Sequence, residues 1–132
     1  MCNLKTLSLS GNSLSGQLLD FIQNLSGCAN HSLEVLHLDQ NQIMGSLPDL
    51  TTFPSLRQLR HHQNRLNGTI PESLGKQSNL VSLSLFDNSL EGVISDAHFS
   101  KLTKLKHLYL SNNLLKFNFS SDWVPPFQLL PP

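Results

Sequence analysis

Six histidines, two cysteines and a scatter of serines are the side chains here with the most chemical potential. Their spacing decides whether that potential is used. The nearest approach to a nucleophile elbow is Gly11-Asn12-Ser13-Leu14-Ser15, where Ser15 stands in place of the glycine that the sharp strand-to-helix turn requires. Ser13 therefore reads as a turn residue. No phosphate-cradling glycine loop, Cys-x-x-Cys pair or His-Glu-x-x-His helix occurs. The expectation is a chain without catalysis and without a cofactor. Cys2 and Cys28 suffice for one disulfide but leave the redox compartment open. Nine Lys and Arg balance nine Asp and Glu, so no overall field draws a polyanion or a lipid surface, and nucleic acid is not an expected partner. No stretch approaches the roughly 20 apolar residues of a membrane span, and the N-terminus lacks a basic segment followed by a hydrophobic core. The chain is expected neither to cross a membrane nor to direct its own secretion.

The histidines gain meaning from the element that carries them. The pattern Leu-x-x-Leu-x-Leu-x-x-Asn-x-Leu occurs at Leu4, Leu7, Leu9, Asn12, Leu14 and again at Leu33, Leu36, Leu38, Asn41, Ile43. It continues at Leu56, Leu59, His61, Asn64, Leu66, then at Leu80, Leu83, Leu85, Asn88, Leu90, then at Leu105, Leu108, Leu110, Asn113, Leu115. Successive asparagines lie 29, 23, 24 and 25 residues apart, a period in the leucine-rich-repeat range, with an insertion between Gly16 and Leu33. The alternation Leu-x-Leu turns both leucines to one face of a short strand and the residues between them to the other. A single rung cannot cover its own leucines, so rungs must stack, their parallel strands pairing along a solenoid. The fold class expected is an α/β repeat solenoid: a right-handed superhelix with a parallel concave sheet and a short helical or irregular convex side. It forms one domain over 1–132, with repeats starting near 4, 33, 56, 80 and 105, a partial sixth from 129, and no cap at either end.

Asn12, Asn41, Asn64, Asn88 and Asn113 keep a fixed offset from the leucines, which predicts a buried ladder of amides bonded to turn backbone rather than five independent turn formers. The sequence after each, Leu-x-Gly-x-apolar-Pro in Ile43 to Pro48 and Leu66 to Pro71, brings a close backbone approach at glycine and an end to pairing at proline. Helical turns are expected near Pro71 to Gln77 and Asp96 to Leu102, and no long helix.

The outward columns are the candidate contact surface, because a rigid array displaying variable side chains is suited to recognition. Between the strand leucines stand Ser8, His37, Arg60, Ser84 and Tyr109; after the second come Ser10, Asp39, His62, Phe86 and Ser111; Gln58, Asp87 and His107 flank them. His37, Asp39, Arg60, His62, Phe86 and Tyr109 are the expected ligand contacts, with Arg60, Phe86 and Tyr109 foremost by residue type. His37, Asp39 and His62 fall on adjacent strands where zinc ligation is conceivable, but neighbouring strands of any solenoid bring outward side chains together, and ordinary surface polarity is the preferred reading. His61 breaks the inward column that is leucine in the other copies. It should sacrifice roughly 1.5–3 kcal/mol of apolar burial, and about 1–3 kcal/mol more without a hydrogen-bond partner. Asn24, Asn30, Asn67 and Asn118 are glycosylation sequons, and Asn67, outside the leucine core, is the favoured acceptor.

The combination Asn-x-Leu-x-Gly-x-Ile-Pro resembles the plant-specific class of leucine-rich repeat. The stretches Asn24 to Cys28, Leu90 to Phe99 and Asn118 to Leu129 are similar to plant receptor-like proteins of the ethylene-inducing xylanase receptor type. That resemblance implies a partial ectodomain at the extracellular face of the plasma membrane or in the apoplast. It implies a protein or peptide ligand, and a receptor-kinase partner engaged through the parent protein, in defence or development. The same scaffold serves soluble inhibitors of cell-wall-degrading enzymes, similar to polygalacturonase-inhibiting proteins, and a non-functional truncated gene product also fits the odd His61.

Overall fold

In a computed structural model, which describes residues 3–27 and 29–131, the leucine pattern becomes five three-residue strands. They are β1 (Thr6–Ser8), β3 (Val35–His37), β5 (Gln58–Arg60), β7 (Ser82–Ser84) and β9 (His107–Tyr109), hydrogen-bonded in that order as one parallel sheet. The register is set by the leucines: Leu7, Leu36, Leu59, Leu83 and Leu108 lie opposite one another along the sheet. A one-residue slip would turn a whole column out of the core. The three interior members are fully buried, each worth roughly 1.5–3 kcal/mol. Leu7, with a described rung on one side only, and Leu108, flanked on its far side only by the short segment whose Leu130 N bonds Lys106 O at 2.9 Å, are half-buried. Cys2 and Cys28 lie outside the described residues.

The leucine pattern predicts one sheet, but the structure has a second layer of pairing. Beyond each asparagine the backbone stays extended and pairs again, as β2 (Ser15–Gln17), β4 (Gln42–Gly45) and β6 (Arg65–Leu66), and separately as β8 (Glu91–Ile94) with β10 (Leu114–Phe117). A lone bridge from Thr69 to Glu91 spans the gap. Glycine is required where this layer turns inward. At Gly92 the φ angle is +90° and a Cβ would sit 2.9 Å from the Thr69 methyl group, so both conformation and space exclude a larger residue.

The insertion after Gly16 folds as α1 (Leu18–Leu25), whose Leu18, Ile22 and Leu25 recur every three or four residues and bury one stripe. Elsewhere the convex side is short: 3-10 turns cover Glu72–Lys76 and Asp96–Phe99, inside the segments where helical turns are expected. Phe119 and Trp123 stack at 4.4 Å between ring centroids and close the convex side of the last rungs against Phe99.

The asparagines join the two layers. The Asn41 Nδ2 donates to Leu9 O, Leu38 O and Asp39 O, while its Oδ1 accepts from the Asn12 and Leu14 amides of the preceding rung. Asn64, Asn88 and Asn113 repeat this, each donating to its own turn and to the rung before. The expectation of five buried amides needs correction at the edge. Asn12 is exposed and, among the described residues, its side chain donates only to Ser10 O, because it stands on the first described rung; of the five, Asn41 alone is buried, the other three being half-buried. The residue before each asparagine is left-handed: Gly11, Gln40, Gln63, Asp87 and Asn112 have φ between 54° and 69°. Four of the five are not glycine, a conformation that normally costs an L-residue roughly 1–2 kcal/mol. The amides of Gly11, Gln40, Gln63 and Asp87 extend the main sheet by one more bond each, at 2.9–3.1 Å, which holds them there.

Truncating an interior ladder residue should therefore be severe and truncating the first one mild. Asn64→Ala is expected to lose about 2–4 kcal/mol, from several buried backbone groups left unpaired, and Asn12→Ala less than about 1 kcal/mol. Urea denaturation of both variants checks this, and equal losses would refute the ladder.

Candidate functional site

The concave face is the outward side of the main sheet, and its shape follows from side-chain size along the rungs. On β5 stand Gln58 and Arg60, on β9 His107 and Tyr109, and between them β7 offers only Ser82 and Ser84. One position earlier, Val81 occupies the column that holds Lys5, Glu34, Arg57 and Lys106 in the other rungs. Short side chains flanked by long ones leave a depression of about 410 Å³, lined by Gln58, Arg60, Val81, Ser82, His107 and Tyr109 around a floor that includes His62, Ser84 and Phe86. Val81 and Ser82 carry no large functional group, and their smallness is the one mark of the site that they leave in the sequence.

The floor is a chain of contacts running across the strands. Asp39, 2% exposed, accepts from Ser10 Oγ at 2.7 Å on Oδ1, and its Oδ2 lies 3.5 Å from Arg60 and 3.4 Å from His62 Nε2. His62 Nδ1 lies 2.8 Å from Ser84 Oγ, and its ring stacks on Phe86 at 4.4 Å and 7°. Phe86 meets Tyr109 edge-on at 6.4 Å, and Tyr109 lies parallel to His107 at 6.5 Å. Tyr109, at 38%, is the most exposed ring of the row. Burial holds the His62 imidazole below its ordinary pKa, with the Asp39 carboxylate opposing the shift.

Four of the six expected contact residues, Arg60, His62, Phe86 and Tyr109, are brought together here. His37 turns aside to bond Gln58 at 3.1 Å. Asp39 is a correction: expected on the display surface, it is covered by Ser10 from one rung and by Arg60 and His62 from the next, so it supports the site from beneath. Asp39, His62 and Ser84 also have the composition of a nucleophile triad. Ser84, however, is 4% exposed, and the adjacent amides are spent in the sheet, His61 N on Ser84 O at 2.9 Å and Leu85 N on Tyr109 O at 2.8 Å. Neither of those amides is free to hold a developing oxyanion. Among the described residues no group of three or more His, Cys, Asp or Glu is arranged to hold a metal ion, and no helix is long and apolar enough to cross a membrane. Of the sequons, Asn24 lies on α1, Asn67 follows β6 and Asn118 follows β10, all exposed, whereas the Asn30 Oδ1 already accepts from Gly27 N.

Residues 3–25, 32–53 and 104–128 match the model of the Leucine Rich Repeat family. The chain is 41% identical to Receptor-like protein EIX2 of Solanum lycopersicum, an alignment covering 98% of the chain and 19% of that relative. It also superposes on the ectodomain of the Arabidopsis thaliana membrane receptor kinase GASSHO1/SCHENGEN3, solved with CASPARIAN STRIP INTEGRITY FACTOR 2, at a TM-score of 0.74 and 34% identity, over 86% of the chain and 13% of that ectodomain. The Arabidopsis receptor kinase HAESA, solved with the peptide hormone IDA and the co-receptor SERK1, gives a TM-score of 0.72 and 33% identity, over 85% and 18%. The chain thus spans about a fifth or less of each of these proteins.

Directly beneath the floor, His61 is 1% exposed and, among the described residues, has no hydrogen-bond partner for either ring nitrogen. Burial lowers its pKa to about 4, with Asp39 opposing. A folded value below the unfolded one means that the unfolded chain binds the proton first. Stability from this group is complete above pH 6.5 and falls toward pH 4, by up to roughly 3 kcal/mol. His61→Leu should raise the melting temperature at neutral pH and flatten the stability profile between those limits. Thermal denaturation at several pH values tests both; an unchanged slope would remove His61 as the source.

Proposed function

The chain belongs to the leucine-rich-repeat family, and from that premise we propose that it is the ligand-recognition part of a plant cell-surface receptor-like protein, working outside the cell. The observation that carries this is the depression above β7, where Arg60, Phe86 and Tyr109 converge on a rigid sheet with short serines between them. A protein or peptide ligand suits such a surface. Tyr109 and Phe86 give apolar area with few rotamers to immobilise, and Arg60 gives directional donors. Support comes also from the relatives, among them ectodomains solved with a peptide hormone and a co-receptor. A receptor-kinase partner would be engaged through the parent protein, and the recognition is non-catalytic. We propose Asn67 as the principal glycan acceptor, exposed on the flank of β6 away from the concave face; an unchanged mass after treatment of the secreted chain with an N-glycosidase would reject it.

Panning a random peptide library against the chain should yield binders that depend on the concave face. Phe86→Ala and Tyr109→Ala are each expected to weaken a selected peptide roughly tenfold, the scale of a buried hot-spot truncation, while Lys101→Ala on the convex side leaves it unchanged. Calorimetry decides; equal affinities across the three variants would move recognition away from this surface.

A further inference from the structure

The depression has a definite electrostatic character. Its lining carries one cation, Arg60, and two imidazoles, His62 and His107, and no carboxylate. One acid, Asp39, is buried behind them, with Oδ1 bonded to Ser10 and Oδ2 shared between Arg60 and His62 at 3.5 and 3.4 Å. Both separations exceed the 2.7–2.9 Å of a charge-assisted hydrogen bond, so neither base holds that oxygen tightly. The groups acting on His62 come from every rung around it: Asp39 and Asp87 favour its protonated form, while Arg60, His37 and burial oppose it. The balance responds to one further charge.

We infer that the depression selects a peptide segment bearing an anionic group beside an aromatic ring, and that its binding takes up a proton at His62. The inference rests on the reading of the concave face as a peptide-binding surface. The ring packs against Phe86 and Tyr109, and the anion meets Arg60, whose side chain is 42% exposed toward the opening. A proton on His62 lets the imidazolium, already stacked on Phe86, neutralise Asp39 through Oδ2 and leaves the guanidinium to the ligand. Asp39 is thus a positioning residue: it touches no ligand but distributes the two bases. By linkage, a ligand that raises proton affinity binds more tightly as the pH falls.

The test uses N-acetylphenylalanine, which carries a carboxylate and a ring, against its neutral primary amide, titrated into the chain by NMR at about pH 5.5 and about pH 7.5, either side of the ordinary imidazole value. The acid is expected to shift Arg60, Phe86 and Tyr109 resonances, to bind about threefold or more tighter at the lower pH, and to outbind the amide there by a similar factor. The His62 imidazole should titrate at a higher pH in the presence of saturating acid, a readout that needs no variant. In His62→Gln the pH dependence should vanish. Acid and amide binding alike at both pH values would overturn the inference while leaving a peptide-binding face in place; a pH dependence surviving in His62→Gln, or an imidazole titration unmoved by the acid, would overturn it too. Absence of shifts at Arg60, Phe86 and Tyr109 overturns the inference, and failure of library peptides to depend on Phe86 and Tyr109 separately overturns the underlying reading.

Discussion

Everything in this molecule depends on leucines that no rung can bury alone. A three-residue strand turns one leucine inward, its flanks add one or two more, and a lone rung has nothing to pack them against, so apolar burial arrives only when the next rung stacks in register, Leu36 against Leu59 and Leu59 against Leu83. Stability in such an array is a sum over neighbours. This explains why the interior leucines are fully buried while Leu7 and Leu108 are not. It also explains why His61, an imidazole in the second inward column between Leu38 and Leu85, is a local weakness: rungs on both sides cover it, and among the described residues neither supplies a partner.

Stacking leucines alone would leave the turns between strands free to fray. The asparagine amides prevent this, because Asn41, Asn64, Asn88 and Asn113 each reach their own turn and the preceding rung at once, tying the two sheet layers together. The left-handed residues ahead of them are the strain that this geometry imposes. Gln40, Gln63, Asp87 and Asn112 adopt it because the sheet continues through their amides or because, at Asn112, the side chain is held by Asp87 at 2.7 Å. Local backbone preference yields to a repeated tertiary bond.

On this scaffold the concave face is made by differences between rungs rather than by the repeat itself. Two serines on β7 open a space; longer side chains on β5 and β9 wall it; a buried acid beneath sets the charge. Rigidity and specificity come from different residues, leucine and asparagine for the first, the variable columns for the second. Such a division suits recognition, since the outward columns can change without disturbing the inward ones.

The periodicity was enough to determine the parallel sheet, its register, the inward columns, the position of His61 and the amide ladder, because these follow from a repeat in which one element's geometry is copied to the next. It also brought Arg60, His62, Phe86 and Tyr109 to one face, since outward columns are fixed once the register is known. The second layer of strands was not legible: Ser15 to Gln17 and Glu91 to Ile94 lack the Leu-x-Leu alternation of the main sheet, and become strands only because a neighbour's backbone presents unpaired groups to them. The helix Leu18–Leu25 was hidden in an insertion whose period is too short to announce itself. Asp39 was placed in the right column but at the wrong depth, since exposure depends on which long side chains from adjacent rungs fold over it. Spacing along the chain decides which face a residue occupies; only packing between rungs decides whether it is covered, whom it bonds and where space remains.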